Sequence, residues 1–345
     1  MKNIGSPNVE TIEKNEKEHK QFLKKIARHN KTINWAIVVI FFLGITAMFF
    51  TSIFPIFAVK NRVAKSTFDN NMENKIIQDY YKEDSDKKKD LPFDDLGSVS
   101  DISDMNAELK QETENLTGSY GIYIKNLTNG EEYGLNQDQK FTAASLAKLF
   151  VVGAAYQKMQ EEPDFIDQNI FLRNEDRVDG NGSLFSDQLG SSYNPDFLIE
   201  KMLSQSDNTA FTIMTRALGM SYVNKYIDKN GFANTDFGNN DSSPKDIGLF
   251  LDKLNSEQLM QKEFKDQMLG YMQNTAFEDR LPYYLPKSVK VSHKIGTWGG
   301  AYSDAGIVFS GDPYIIVVMT DGANQDEAVN TIRKISDVVY RYINK

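Results

Sequence analysis

FTAASLAKLFVVGAAYQKM, residues Phe141 to Met159, is apolar on nearly every face between Ala143 and Tyr156. A helix without a polar stripe belongs inside a domain rather than on its surface. One charge interrupts it, Lys148, three residues after Ser145. A three-residue step puts both side chains on one face of a helix, about one turn apart. Burying an ammonium is unfavourable, and loss of solvation lowers its pKa toward that of a usable base. A serine beside such a lysine is a nucleophile beside its base.

The Ser-x-x-Lys spacing occurs twice more, and both instances have ordinary explanations. Ser85 and Lys88 lie in EDSDKKKD, where no core could desolvate the lysine. Ser242 and Lys245 lie at a helix start, in which Ser243, Pro244 and Asp246 read as N-cap, N1 and N3.

The 345 residues are 40% hydrophobic and 25% charged, enough for one large domain or two small ones with a full core. No cysteine is present, which excludes disulfides, thiolate nucleophiles and cysteine metal sites. The three histidines are His19, His29 and His293, so a Ser-His-Asp triad could use only His293. No metal or other cofactor is indicated. Residues 1–32 hold eight Lys or Arg and four Glu, a charge of +4; with −9 overall, the remainder carries −13. An acidic body of that kind argues against a nucleic-acid partner.

Thr32 to Val59 is 28 residues without a charge, built around WAIVVIFFLGITAMFFTSIFPIF. At ~1.5 Å per residue this exceeds the ~30 Å hydrocarbon layer, so residues 33–59 are expected to form a transmembrane helix. A cleaved signal peptide fits less well: the preceding tail is long, the apolar run exceeds a signal core, and no small-x-small site follows cleanly. The basic tail 1–32 is expected in the cytoplasm, which puts the C-terminal body outside the cell membrane as a single-pass protein. Residues 60–100, rich in Asp, Lys and Asn, read as a polar linker.

The folded domain is expected over 101–345. Ile102 to Leu116 predicts an amphipathic helix; SYGIYIKNL and EEYGLN predict two strands around a turn at Thr128-Asn129-Gly130. After the Ser145 helix comes a loop-rich region with a turn at Asp179-Gly180-Asn181-Gly182, then helices over Pro195–Leu203 and Thr209–Leu218. Strands follow at Val289–Ile295, Ala305–Ser310 and Tyr314–Thr320, and an amphipathic helix at Asn324–Ile343. Strands at both ends with helices between predict an α+β fold: one antiparallel sheet flanked by helices, with a helical subdomain inserted in its middle.

Three short stretches align with this order: Ser145-Leu146-Ala147-Lys148, Ser206-Asp207-Asn208 and His293-Lys294-Ile295-Gly296-Thr297. Here the chain resembles the class A beta-lactamases and the penicillin-recognising peptidases, whose signature is SxxK, SDN and KTG. GIYIKNLTNGEEY, MLSQSDNTAFTIM, VSHKIGTWGG and SDAGIVF extend the resemblance over about Asp101 to Lys345. It implies a beta-lactamase/transpeptidase-like fold and a serine hydrolase acting on a beta-lactam or a cell-wall peptide. Ser145 would attack an amide carbonyl, Lys148 would take its proton, and Ser206 would pass a proton to the leaving nitrogen. Asn208 would hold a side-chain amide of the substrate, and Lys294 would repel the charge on Lys148 and attract a substrate carboxylate. The backbone N–H groups of Ser145 and Thr297 would form an oxyanion hole, and Gly296 would let its strand approach the ligand.

Each cluster also has a structural explanation: Ser206-Asp207-Asn208 as a helix N-cap, Lys294 as an edge-strand charge, Gly296 as a bulge. These explanations do not predict one another, whereas the family order predicts all three. Two departures stand out. Ile295 occupies the position of a hydroxyl residue, with Thr297 as the available substitute. Between Gly231 and Pro244 there is no glutamate, where the resemblance implies the base that activates water for deacylation. Asp236 and Asp241 are the available replacements. Acylation with weak deacylation is therefore expected; a D-Ala-D-Ala peptidase or transpeptidase, and a non-catalytic wall-binding domain, are the alternatives.

Overall fold

The computed structural model describes residues 102–345. The expectations for residues 1–32, 33–59 and 60–100 fall outside the described residues. Among the described residues, no helix is long and apolar enough to cross a membrane.

The elements run in the order α1 (Ile102–Thr113), β1 (Ser119–Asn126), β2 (Glu132–Leu135) and β3 (Phe141–Thr142). A 3₁₀ turn (Ala144–Leu146) leads into α2 (Ala147–Glu161), followed by β4 (Ile170–Phe171), β5 (Ser192–Tyr193), α3 (Pro195–Ser204), α4 (Asn208–Leu218) and α5 (Met220–Lys229). Then come β6 (Asp241–Ser242), α6 (Pro244–Asn255), α7 (Lys262–Gln273), β7 (Lys290–Trp298), β8 (Ala301–Phe309), β9 (Tyr314–Asp321) and α8 (Gln325–Ile343).

Five strands form one sheet in the order β2-β1-β9-β8-β7, with every neighbouring pair antiparallel. The two ends of the domain thus meet in one sheet, β1 pairing along its whole length with β9 from Ser119↔Asp321 to Asn126↔Tyr314. Alternation along β9 explains why it is apolar from Tyr314 to Met319. Tyr314, Ile316 and Val318 enter a core with Leu109 of α1 and Ile332, Ile335 and Val339 of α8. Ile315, Val317 and Met319 enter the opposite core with α2 and the middle helices. A strand covered on both faces has no polar side to show.

α2 is the axis of that second core. Every residue from Ala147 to Tyr156 is buried, packed among Leu198, Met202, Ile213 and Phe250 of the surrounding helices. Burying one large apolar side chain of this kind stabilises the fold by about 1.5–3 kcal/mol, which Leu149, Phe150, Val151 and Val152 each supply.

The helix starts follow local chemistry. The Ser243 hydroxyl accepts from the Asp246 N–H at 3.1 Å with Pro244 next in line, as the spacing predicts. Asn324 caps α8 by accepting from the Asp326 and Glu327 N–H groups. Several boundaries shift: α1 ends at Thr113 rather than Leu116, and β7 runs from Lys290 to Trp298 rather than from Val289 to Ile295. Ser145 lies in the 3₁₀ turn before α2 rather than in the α-helix, and β8 begins at Ala301, ahead of the apolar run expected to start it at Ala305. Helices α5 and α7 lie where the sequence pattern specifies no individual boundaries.

Candidate functional site

The 3₁₀ turn that carries Ser145 opens from a strained residue: Ala144 has φ +49°, in the left-handed region that alanine disfavours. This kink turns the chain from β3 into α2 and leaves Ser145 half-buried at the helix start. Lys148, in the first turn of α2, is 3% exposed, and its Nζ lies 2.8 Å from Ser145 Oγ. The same amine donates to Asn208 Oδ1 at 2.9 Å and sits 5.3 Å from the centre of the Phe211 ring. Burial lowers its pKa to about 8, although the nearby Asp207 carboxylate opposes the fall.

Ser206-Asp207-Asn208 serves two purposes. Asp207 is the N-cap of α4, its carboxylate accepting from the Ala210 N–H at 2.7 Å and from the Leu184 N–H at 2.9 Å. Just before that cap Ser206 holds a second left-handed conformation, φ +55°, and just after it Asn208 takes the first position of the helix. The Asn208 side chain is clamped between Lys148 and the Asp179 carbonyl, to which its Nδ2 donates at 3.2 Å. Gly182 of the preceding loop is required by contact, since a Cβ there would collide with the Asp207 carboxylate. The N-cap thus falls to Asp207, while the side chains of Ser206 and Asn208 meet Lys294 and Lys148.

Lys294 reaches the same place from β7. Its Nζ donates to Ser206 Oγ and to its own strand's Ile295 carbonyl, both at 2.9 Å, and it is 1% exposed. Burial, reinforced by the charges of Lys148 and Arg280, pushes its pKa well below the usual lysine value, against the pull of Asp304. Two amines are thus held together in a dry site that disfavours both being charged. Gly296 faces the Ser145 turn so closely that a Cβ would meet the Ala143 carbonyl oxygen at 3.0 Å and Ala144 Cβ at 3.4 Å. The strand needs glycine for this close approach and not for a bulge, because the β7–β8 register is continuous from Lys290↔Phe309 to Trp298↔Ala301.

The structure brings Ser145, Lys148, Ser206, Asn208 and Lys294 together, with Gly296 against the nucleophile's turn and Thr297 exposed beside it. Thr297 does not stand free in place of the missing hydroxyl at Ile295. Its Oγ1 accepts from Arg280 at 2.6 Å, while the other arm of that guanidinium donates to the Gly296 and Ser303 carbonyls at 2.9 and 2.6 Å. Arg280 escapes sequence reasoning because it sits in an irregular segment before β7, with no periodicity or motif around it.

His293 pairs with an aspartate, but not as part of a triad. Alternation along β7 puts it on the face opposite Lys294, where its Nδ1 lies 2.9 Å from Asp304 Oδ1. Burial alone would lower its pKa; the Asp304 carboxylate outweighs that and raises it to about 9. Of the two candidate deacylation bases, Asp236 has its carboxylate committed to its own turn. Asp236 accepts from the Asn239 N–H and Nδ2, and those bonds hold it below the usual carboxylate range. Asp241 belongs to β6, paired with Thr142 of β3, and its backbone bridges to Asp236. Among the described residues no group of acidic or histidine side chains could hold a metal ion.

A model of the beta-lactamase enzyme family matches residues 104–343. The fold is similar to that of PBP-A, with TM-score 0.67 at 25% identity, covering 70% of this chain and 97% of that one. A point mutant of PBP-A, solved as an acyl-enzyme complex with penicillin G, gives TM-score 0.67 at 24% identity, over 72% and 99% of the two chains. A beta-lactamase from Sphaerobacter thermophilus gives 0.66 at 22% identity, over 71% and 98%. With the family match running from α1 to the end of α8, the chain belongs to the beta-lactamase enzyme family, serine hydrolases that act on amide bonds.

Proposed function

We propose that the protein is a membrane-anchored, extracytoplasmic serine hydrolase that is acylated at Ser145 by beta-lactam or peptidoglycan-type amides and releases the acyl group slowly. The observation that carries this reading is the 2.8 Å contact between Ser145 Oγ and an amine whose basicity burial has lowered to about 8. In the productive state the lysine pair shares one proton unequally: Lys148 neutral, Lys294 charged. Without substrate, the deeper burial of Lys294 favours the proton on Lys148. A substrate carboxylate arriving beside Lys294 reverses that preference, and repulsion then disfavours charge on Lys148.

The Ser145 proton passes to Lys148 as Oγ bonds to the carbonyl carbon, and the carbonyl oxygen takes up negative charge near the Ser145 and Thr297 N–H groups. The C–N bond then breaks, its electron pair staying on nitrogen. Ser206, bonded to Lys294, delivers a proton to that nitrogen and is reprotonated from the lysine side. Asn208 orients Lys148 and offers its amide to the acyl side chain. The N-terminal ends of α2 and α4 carry Lys148 and Asn208 to the site and favour developing negative charge there.

Slow release follows from the segment 231–244, which contains no glutamate and whose Asp236 is consumed by its own turn. The same feature supports the second reading, a peptidase or transpeptidase in which an amine of a wall peptide takes the acyl group instead of water. A non-catalytic wall-binding domain is disfavoured by the convergence of all five polar side chains. The anchor reading is supported by the uncharged run 33–59 and the eight basic residues before it.

Full-length protein incubated with a fluorescent penicillin should gain one adduct by intact mass, absent from Ser145→Ala and persisting for hours after excess ligand is removed. Folded protein that gains no adduct from several beta-lactams would refute the acylation reading. Rapid, Ser145-dependent turnover of a chromogenic cephalosporin would refute slow release alone.

A further inference from the structure

Among the described residues Trp298 is the most exposed large apolar side chain, at 66%, and nothing in the acylation chemistry uses it. It ends β7 beside a two-glycine turn, Gly299 and Gly300, whose φ values of +55° and +91° suit the tight hairpin into β8. Its cross-strand partner is Ala301, too small to cover an indole. The β7–β8 register has no interruption, so Lys294, Gly296 and Trp298 share one face of the strand. That is the face whose Lys294 meets Ser206 and whose Gly296 abuts the Ser145 turn. β7 is also the outermost strand of the sheet, and its last two residues, Thr297 and Trp298, are exposed.

Position along the strand decides which part of a substrate the indole meets. In the acylation mechanism above, Lys294 attracts the carboxylate of the leaving portion, and the Thr297 N–H receives the carbonyl oxygen under attack. Trp298 lies beyond Thr297, away from Lys294 by four residues or ~13 Å of extended strand. It therefore stands on the acyl side of the scissile bond. An exposed aromatic face held on a rigid strand offers large contact area with little conformational entropy to lose.

We infer that Trp298 is a specificity-determining residue, forming a platform for a flat apolar or aromatic group on the acyl side of the substrate. This rests on Ser145 being the nucleophile, and the test separates the two. Benzylpenicillin, which carries an aromatic acyl group, is compared with 6-aminopenicillanic acid, which has none, on full-length protein. Trp298→Ala should lower the second-order acylation constant for benzylpenicillin about five- to tenfold while changing that for 6-aminopenicillanic acid less than about twofold. Trp298→Phe should restore most of the preference. Equal losses for both compounds, or an unchanged ratio, would overturn the assignment.

The chain has two tryptophans, Trp35 and Trp298, so Trp35→Phe leaves Trp298 as the sole indole fluorophore. In Trp35→Phe/Ser145→Ala, which cannot acylate, benzylpenicillin should alter Trp298 emission and 6-aminopenicillanic acid should not. An unchanged emission at saturating benzylpenicillin overturns the platform even if wild-type Ser145 acylates. A change in emission alongside a wild-type protein that forms no adduct upholds the platform and removes the nucleophile.

Discussion

Acylation of Ser145 should depend on pH as a bell whose alkaline side lies near 8. The perturbation is titration of the Lys148–Lys294 pair, buried together and mutually repelling. Below the bell both amines carry protons and Lys148 cannot accept one from Ser145. Above it neither is charged, and the carboxylate loses its cation at Lys294. The productive species holds one proton over the pair, which behaves as a coupled unit. The last proton leaves near the value of about 8 that burial sets for Lys148, so activity is present below pH 8 and lost as pH rises through it. Relative to its maximum, the acylation constant should be about one half at pH 8, about one tenth at pH 9 and about one hundredth at pH 10.

The assay is the second-order rate of adduct formation by intact mass between about pH 5 and 10.5, with near-ultraviolet circular dichroism at each pH to show that the fold persists. Lys148→Met should acylate slowly at every pH and lose the bell. A wild-type rate that still climbs above about pH 9 would refute the argument, because it would mean an ordinary solvated lysine acts as the base. A flat profile would refute it equally, since neither lysine would then titrate in a kinetically relevant way.

Gly296→Ala places a methyl 3.0 Å from the Ala143 carbonyl oxygen, a few tenths of an ångström too close, and pushes β7 from the Ser145 turn. Overpacking of this size should cost about 1–3 kcal/mol and reduce acylation about tenfold or more, checked by thermal melting and adduct kinetics. Arg280→Ala removes the donor to two carbonyls and to Thr297 Oγ1, at about 3 kcal/mol or roughly 6–12 °C in Tm. Arg280→Lys should recover part of the Tm but not the acylation rate, because one ammonium cannot span the same three acceptors.

The legible part of this protein lies in elements whose residues are neighbours in sequence. The apolar, single-charge run around Lys148 marks a buried helix because burial on every side excludes polar residues from every side. Likewise Ser243-Pro244-x-Asp246 specifies a helix start, since capping is settled within one turn. The three short motifs name a family because their order along the chain is itself a pattern. The proposal of a membrane span at 33–59 rests on the same local logic, length and lack of charge.

How separate segments combine is fixed by packing across the chain and not within any one stretch. Asp207 takes the cap that the sequence offered to the whole tripeptide, and so frees Ser206 and Asn208 to meet two different lysines. His293 and Lys294 are adjacent in the chain, yet strand alternation sends one to Asp304 and the other to the site. Arg280 joins Gly296, Thr297 and Ser303 across sequence separations that carry no local signal. The physical reason is the same in each case: a propensity or a cap is set by bonds within a turn, whereas a lowered pKa, a shared proton or an exposed platform depends on which distant groups exclude water together.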